Sequence, residues 1–552
     1  MRLLGDLGTR TPPGAVDVIT EPDLALPDPG PVPVTPAPAR DRAAGRRGRL
    51  RSTALPLTAI LVLAAFLRFW HLAATGFNSD ESVYTGSASS LAGDGTLHSM
   101  FPVFRAHPLL FQVLLSLVLR IHETDFAARA FAAAIGVAAV AMTFLLGSRL
   151  YGRRAGLLAA LLLAVMPYHV IVSRQVLLDG LMTLCATAAL YCVARYCDGC
   201  RPRWLLAAAG LMGASILTKE TSVVLLAALY AFFALSRPVP ARWRHILLAL
   251  GVTGAEIIAW PLALRASGQA KTGQSYLLWQ LFRRPNHGPW FYAAVLPSWI
   301  GPAVLIAALI GLIRLRRDAT WREPLLLAWV IVPVLFFTLW PVKGFEYLLP
   351  AAPALAVLAG RTLSLCSIPR GSIPRASVSR PWLPRSAMGA LVVISAVSLA
   401  VPTWDRIQPS ATSTYLAGTG GVTGGRQAGE WILRTVPPGA RLLAIGPSMA
   451  NILEFYGHHQ VSALSVSPDP RNRNPSYVPV PNADLALRDG DFQYVVWDSY
   501  SAARSPLFAR HARGLISKFH GVAVFTATIT VRGRRGNDVA EPVIVIYEVH
   551  PG

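Results

Sequence analysis

Asp80 and Glu81 stand side by side just past the first long apolar run of this 552-residue chain. Two adjacent carboxylates at a membrane edge are costly to desolvate and suit a chemical task, with a carboxylate taking a proton from an attacking group. Other polar residues recur where later apolar runs end: Tyr84; Arg105 and His107-Pro108; His169, Arg174 and Asp179; Lys219-Glu220; and Lys343 with Glu346-Tyr347. Cations gathered near carboxylates suit a phosphate held beside a general base.

The elements that must position these residues are membrane helices. A hydrophobic fraction of 53% with only 14% charged residues, and a mean hydropathy of +0.45, describe a polytopic membrane protein with a soluble portion. The net charge of +22 reads as topology, not as a nucleic-acid footprint, because the basic residues sit in short loops between apolar runs. No nucleic-acid partner is expected. Eleven spans fit about 20 apolar residues each: 53–72, 126–148, 155–173, 177–196, 204–218, 221–236, 245–264, 290–313, 323–340, 346–363 and 386–404. Arg40, Arg42, Arg46, Arg47, Arg49 and Arg51 precede the first span, so the N-terminus is expected in the cytoplasm and Asp80-Glu81 outside.

Residues 107–121 are apolar enough to compete as a twelfth span. Counting them would reverse every later loop. Treated as an interfacial helix, they leave Arg149/Arg153/Arg154, Arg195/Arg201/Arg203, Arg237/Arg242/Arg244, Arg314/Arg316/Arg317/Arg322 and Arg361/Arg370/Arg375/Arg380/Arg385 all inside. The expected fold is thus an α-helical polytopic membrane protein with surface helices in the first outer loop and a small α/β domain at its C-terminal end. Its divisions are a Pro- and Arg-rich cytoplasmic tail over 1–52 without fixed structure, a membrane catalytic domain over 53–404 and an extracytoplasmic domain over 405–552. In that last domain β-rich runs at 441–445, 493–497, 522–531 and 542–549 alternate with helical patterns at 425–434 and 503–515. Gly420-Gly421 and Gly424-Gly425 read as loop glycines, not a phosphate cradle. Cys197-Asp-Gly-Cys200 has metal-knuckle spacing without a second pair to complete a tetrahedral site, and reads as a loop. Glu256, within the seventh run, has no assigned role.

Placed on one outer face, the polar set suits glycosyl transfer from a lipid phosphate. A carboxylate deprotonates the acceptor and cations stabilise the departing phosphate. Two rival classes fit less well. A transporter or flippase of lipid-linked glycans should carry charges in mid-span and paired repeats, and a non-catalytic receptor for a cell-wall component has no need of Asp80, Glu81 and Asp179 together.

At FNSDESVY (77–84), RAHPLLF (105–111), RLYGRRAGLLAALLLAVMPYHVIVSRQVLLD (149–179), LTKE (217–220) and KGFEYLLPAAPAL (343–355) the chain resembles the polyprenyl-phosphate-sugar glycosyltransferases of family 39, protein O-mannosyltransferase and aminoarabinose-transferase-like, with the GT-C membrane fold. The resemblance implies Asp80 as the catalytic carboxylate, supported by Glu81, with Asp179 as the second acid. It implies Arg174, Lys219, Lys343 and His107 around the donor phosphate; the polar set at the run ends adds Tyr84, Arg105, His169 and Tyr347 as candidate substrate contacts. The resemblance also implies a polyprenyl-phosphate-linked sugar donor, the lipid bilayer as partner, and a protein, lipid or cell-wall glycan as acceptor, at the plasma membrane. No cofactor is named. A divalent metal shared with Asp179 is left open, because the aminoarabinose transferases place a Glu before the Lys-Pro that matches His107-Pro108, and Ala106 stands there in this chain.

Overall fold

The computed structural model describes residues 39–104, 107–235, 239, 241–314, 320–365, 385–409, 422–532 and 537–550. The expected tail up to residue 38, Arg105, Ala106, Arg237, Arg316, Arg317, Arg370, Arg375, Arg380 and Gly420-Gly421 lie outside them.

The membrane part runs through α1 (Ala39–Phe69), α2 (Ser79–Ala92), α3 (Gly95–Met100), α4 (Leu110–Leu119), α5 (Asp125–Tyr151), α6 (Arg153–Val165), α7 (Pro167–Ser173), α8 (Leu178–Gly199) and α9 (Pro202–Thr218). It continues through α10 (Val223–Leu235), α11 (Trp243–Ala266), α12 (Ala270–Phe282), α13 (Phe291–Ile300), α14 (Pro302–Arg314), α15 (Arg322–Leu339), α16 (Ala351–Leu365) and α17 (Arg385–Arg406). All eleven apolar runs are helical, but they are not eleven plain spans. Five described helices are long and apolar enough to cross a membrane, or seven if each of two bent pairs counts as one. The chain is a multi-pass membrane protein.

Both bends fall at prolines. The run 155–173 breaks by 62° between α6 and α7 at Pro167, and 290–313 breaks by 101° between α13 and α14 at Gly301-Pro302. Proline lacks the N–H that would continue the first helix and is preorganised to open the second. The helix α1 starts at Ala39, ahead of the first apolar run at 53, with Ala and Arg as the commonest residues of its lead.

At ten residues α4 is about 15 Å long, half of a typical hydrocarbon core. It packs Phe111, Leu115 and Leu119 against Phe77, Ala88 and Leu181. That settles 107–121 as a short helix and not a span.

The C-terminal region holds a five-stranded sheet in the order β2-β1-β3-β5-β4, with β1 (Leu442–Ala444), β2 (Val461–Ala463), β3 (Tyr494–Asp498), β4 (Val522–Arg532) and β5 (Asp538–Glu548). β1 pairs in parallel with β2 and β3, whereas β5 is antiparallel to β3 and β4. Helices α18 (Gly425–Thr435) and α19 (Pro447–Gly457) cover one face, and α20 (Ala483–Arg488), α21 (Ser499–Arg504) and α22 (Pro506–Lys518) the other. Sequence reading missed β2, whose three residues, Val461-Ser462-Ala463, are too few to show an alternation. The helix α19 lies against α2, so the sheet domain touches the helix that carries Asp80.

Candidate active site

Asn78 explains why a helix starts where the carboxylates are. Its side-chain oxygen accepts from the N–H of Asp80 at 2.9 Å and of Glu81 at 3.0 Å, while Glu81 Oε2 accepts from Asn78 N–H at 3.1 Å. This is a capping box, written in the sequence as Asn-Ser-Asp-Glu. It sends the two carboxylates in different directions.

Glu81 points inward. Its oxygens accept five bonds: Arg129 Nε at 2.7 Å, Arg129 Nη2 at 2.7 Å, Val176 N–H at 3.1 Å, and Asn78 N–H and Nδ2 at 3.1 Å each. It is fully buried. A carboxylate so saturated has no lone pair left for substrate, which corrects its expected catalytic place: Glu81 ties α2 to α5 and to the start of α8.

Asp80 points outward and is exposed to solvent. Protein nevertheless fills much of the space around it, and that partial desolvation, with the Glu346 carboxylate, raises its pKa to about 6. Lys219, His107 and Arg283 pull the other way. The group around it is compact. Lys219, at the end of α9, donates to both Asp179 oxygens at 2.9 Å and to Glu346 at 3.4 Å, and its ammonium lies 5.1 Å from the centre of the Tyr347 ring. Tyr84, one turn along α2 from Asp80, feels Asp80, Tyr276, Asp179 and Glu346, and burial with these carboxylates holds its hydroxyl protonated far above its ordinary range.

His107 is set by a hydrogen-bonded chain. Its Nδ1 is 2.8 Å from Glu220 Oε2 and its Nε2 is 3.1 Å from the Tyr276 hydroxyl, which accepts from Gln280 Nε2 at 2.7 Å. The carboxylate can only accept, which places a proton on Nδ1. The Tyr84 ring meets the His107 ring edge to face at 5.9 Å.

The structure thus brings together Asp80, Asp179, Lys219, His107, Tyr84 and Tyr347 from the expected set. It does not bring Arg174, Lys343 or His169 to them. Arg174 Nη1 caps α1, donating to the carbonyls of Leu67 at 3.0 Å and Arg68 at 3.1 Å. Lys343 Nζ caps α15 through Thr338 O at 3.0 Å and Trp340 O at 2.6 Å, where a cation meets the negative helix end. His169 is buried, its Nδ1 accepting from Arg68 Nη2 at 2.8 Å.

Four participants were not expected in these roles. Glu346 partners Lys219, and Glu220 partners His107. Tyr276 and Arg283 come from α12 and its C-cap, in the stretch between the seventh and eighth runs. Arg283-Arg284 in an expected outer loop runs against the positive-inside bias, and that was the available signal. Asp179 spends both oxygens on Lys219, and among the described residues no three His, Cys, Asp or Glu side chains gather in a way that could hold a metal ion. The residues present do not fit a metal shared with Asp179.

The architecture has clear counterparts. The apo structure of ArnT from Cupriavidus metallidurans superposes with a TM-score of 0.62 at 14% identity, covering 91% of this chain and 98% of that one. The same protein bound to undecaprenyl phosphate gives 0.61 at 14% identity, with 90% and 98% covered. This chain has the GT-C glycosyltransferase fold. The GT-C likeness extends to the archaeal oligosaccharyltransferase AglB from Archaeoglobus fulgidus, solved with an inhibitory peptide and a dolichol-phosphate, at a TM-score of 0.55 and 15% identity over 89% of this chain and 74% of that one.

Within the GT-C fold, residues 106–264 match the family model described as dolichyl-phosphate-mannose-protein mannosyltransferase. A curated relative, the undecaprenyl phosphate-alpha-4-amino-4-deoxy-L-arabinose arabinosyl transferase of Pectobacterium carotovorum subsp. carotovorum (strain PC1), is 28% identical over 295 residues, 48% of this chain. The match spans half the length of that relative. The resemblance to family 39 glycosyltransferases read from the sequence is borne out.

Proposed function

We propose that this protein is an integral-membrane glycosyltransferase that moves a sugar from a polyprenyl-phosphate donor to an acceptor on the outer face of the plasma membrane. The observation that carries the reading is the accessible Asp80 carboxyl, with its pKa raised to about 6, standing beside Lys219, Asp179 and His107. A base poised near the working pH exists as carboxylate and still holds a proton well enough to accept one in the transition state. Asp80 takes the acceptor's proton as the acceptor oxygen bonds to the anomeric carbon, and the bond from that carbon to the phosphate oxygen breaks. Lys219, His107 and Arg283 offset the charge gained by the leaving phosphate. Asp179 serves through Lys219, keeping the ammonium charged and aimed.

Support for the donor class comes from one relative named for undecaprenyl phosphate chemistry and a structural counterpart solved with that lipid phosphate. Support for the outer-face orientation comes from the five arginine clusters read on the opposite side, which outweigh Arg283-Arg284 on this one, and with that orientation the N-terminus is expected in the cytoplasm and the α/β domain outside.

The test is transfer of radiolabelled sugar from a panel of synthetic polyprenyl-phosphate sugars, pentoses, hexoses and hexosamines included, by purified protein in lipid nanodiscs, with Asp80→Asn as the paired control. Release or transfer of one sugar that vanishes in the variant supports the reading and names the donor. Equal turnover in both proteins would overturn the role of Asp80.

A further inference from the structure

The connection that leads into Asp80 is gripped by side chains of the α/β domain. Tyr456, at the end of α19, accepts from Phe77 N–H at 2.8 Å and donates its own hydroxyl to Asp125 Oδ2 at 2.6 Å. Arg426 in α18 pairs with the same carboxylate and donates to the carbonyls of Ala73 at 3.1 Å and Thr75 at 3.0 Å. Asn451 Nδ2 in α19 donates to Ser79 Oγ at 2.9 Å and to the Tyr477 hydroxyl at 3.0 Å. Phe455 and Tyr456 pack on the Phe77 ring at 5.2 and 5.9 Å. Gly76 permits this approach, since a Cβ there would stand 2.9 Å from Arg426 Cβ. From the membrane side, Arg129 holds the carbonyls of Leu72, Thr75 and Gly76 at 2.6 to 3.1 Å.

The segment therefore lies in a vise with one jaw in α5 and the other in the sheet domain. Its need for both follows from its composition. Residues 73–78 are not helical, so their polar backbone groups have no helix to satisfy them. The helix α2 that follows is Ser-rich and has weak intrinsic helix propensity.

We propose that the α/β domain positions Asp80: Tyr456, Arg426 and Asn451 fix the entry to α2 and thereby set the distance from the Asp80 carboxyl to the Lys219 group. This rests on the reading of Asp80 as the base. Misplacing a reacting group by about 1 Å costs on the order of 100-fold in rate, so the domain governs turnover without touching substrate. Burial and the neighbouring Asp125 carboxylate keep the Tyr456 hydroxyl protonated well above its ordinary range, as its role of donor requires.

The experiment uses the full chain in nanodiscs and compares wild type, Tyr456→Phe and Asn451→Ala with Arg434→Ala, which removes only an exposed pair with Glu430 on α18. Two readouts are taken: hydrogen exchange of the amides over 77–84, and kcat and KM for the active polyprenyl-phosphate sugar as a function of pH. The expected result for Tyr456→Phe is lost protection over 77–84, a kcat lower by about 10-fold, a donor KM within about 2-fold, and an acidic limb displaced by half a pH unit or more. Asn451→Ala should show the same pattern at about 3-fold in kcat, and it decides the matter if Tyr456→Phe does not insert. Unchanged protection, or lost protection with kcat and pH profile intact, overturns the proposal and leaves the contact structural only. A wild type silent with every donor would sink the glycosyl-transfer reading instead, while the exchange result still decides whether the domain holds this helix entry.

Discussion

Asp80 and Glu81 leave the first turn of α2 about 100° apart, the rotation of one helical residue, and that angle separates two environments. The inner side receives Glu81 into five donors and full burial; the outer side leaves Asp80 accessible, raised to about 6 in pKa and facing a cation it does not touch. A saturated carboxylate is held for stability, and an under-satisfied one beside charge is available for chemistry. Adjacent carboxylates in a sequence need not share a task.

The comparison is sharpest if each residue fails in its own way. Asp80→Asn should lower turnover by about 1,000-fold or more, the scale of losing a catalytic base with part of its electrostatic surroundings, while the melting temperature in detergent stays within a few degrees. Glu81→Gln should do the reverse. Leaving the buried Arg129 without its full partner costs about 3–5 kcal/mol, read as a lower melting temperature and less inserted protein, with surviving molecules turning over at a comparable rate. A Glu81→Gln protein of normal stability and no activity would break the distinction.

Lys219→Met extends the contrast to the cation that Asp80 faces. It strands Asp179 and removes the charge offered to the leaving phosphate, so kcat in the nanodisc transfer assay should fall by about 100-fold, and a kcat within about 2-fold of wild type would count against that role. A smaller effect is expected in the α/β domain, where Asp498 is fully buried with its pKa raised to about 6. The folded state binds that proton more tightly than the unfolded chain, in which the group titrates near 3.9. The contribution of Asp498 to stability is therefore fully present below about pH 4 and is lost as pH rises through about 6. Asp498→Asn should raise the unfolding temperature at pH 7 by a few degrees and flatten its pH dependence between 4 and 6; an unchanged dependence would contradict it.

Much of this was legible from local pattern. The Asn-Ser-Asp-Glu cap, the apolar runs, and four of five strands follow from periodicity and local pattern over short windows. Pro167 and Pro302 were equally visible, yet only tertiary packing turns a proline into a bend of 62° or 101°. The site was half legible. Asp80, Asp179, Lys219 and His107 stood out by type and membrane edge, but which cation meets which carboxylate depends on how α9, α12 and the turn before α16 converge, and sequence separation hides that. Lys343 and Arg174 look like phosphate ligands by charge alone, whereas helix ends at α15 and α1 already claim them. Glu256 faces Gly210 and Gly213 of α9, where a Cβ at Gly213 would fall 2.0 Å from its carboxylate oxygen; packing between α9 and α11 explains the glycines.

The most direct test of Asp80 as the tuned base is the pH dependence of kcat/KM for sugar transfer in wild type and Glu346→Gln. The wild-type rate should rise through an apparent pKa of about 6, the value set by crowding and the Glu346 carboxylate. Removing the Glu346 charge should move that acidic limb to lower pH, because the Asp80 carboxylate then loses a like-charged neighbour. A limb near the ordinary carboxylate range in wild type, or one that Glu346→Gln leaves in place, would contradict the assignment.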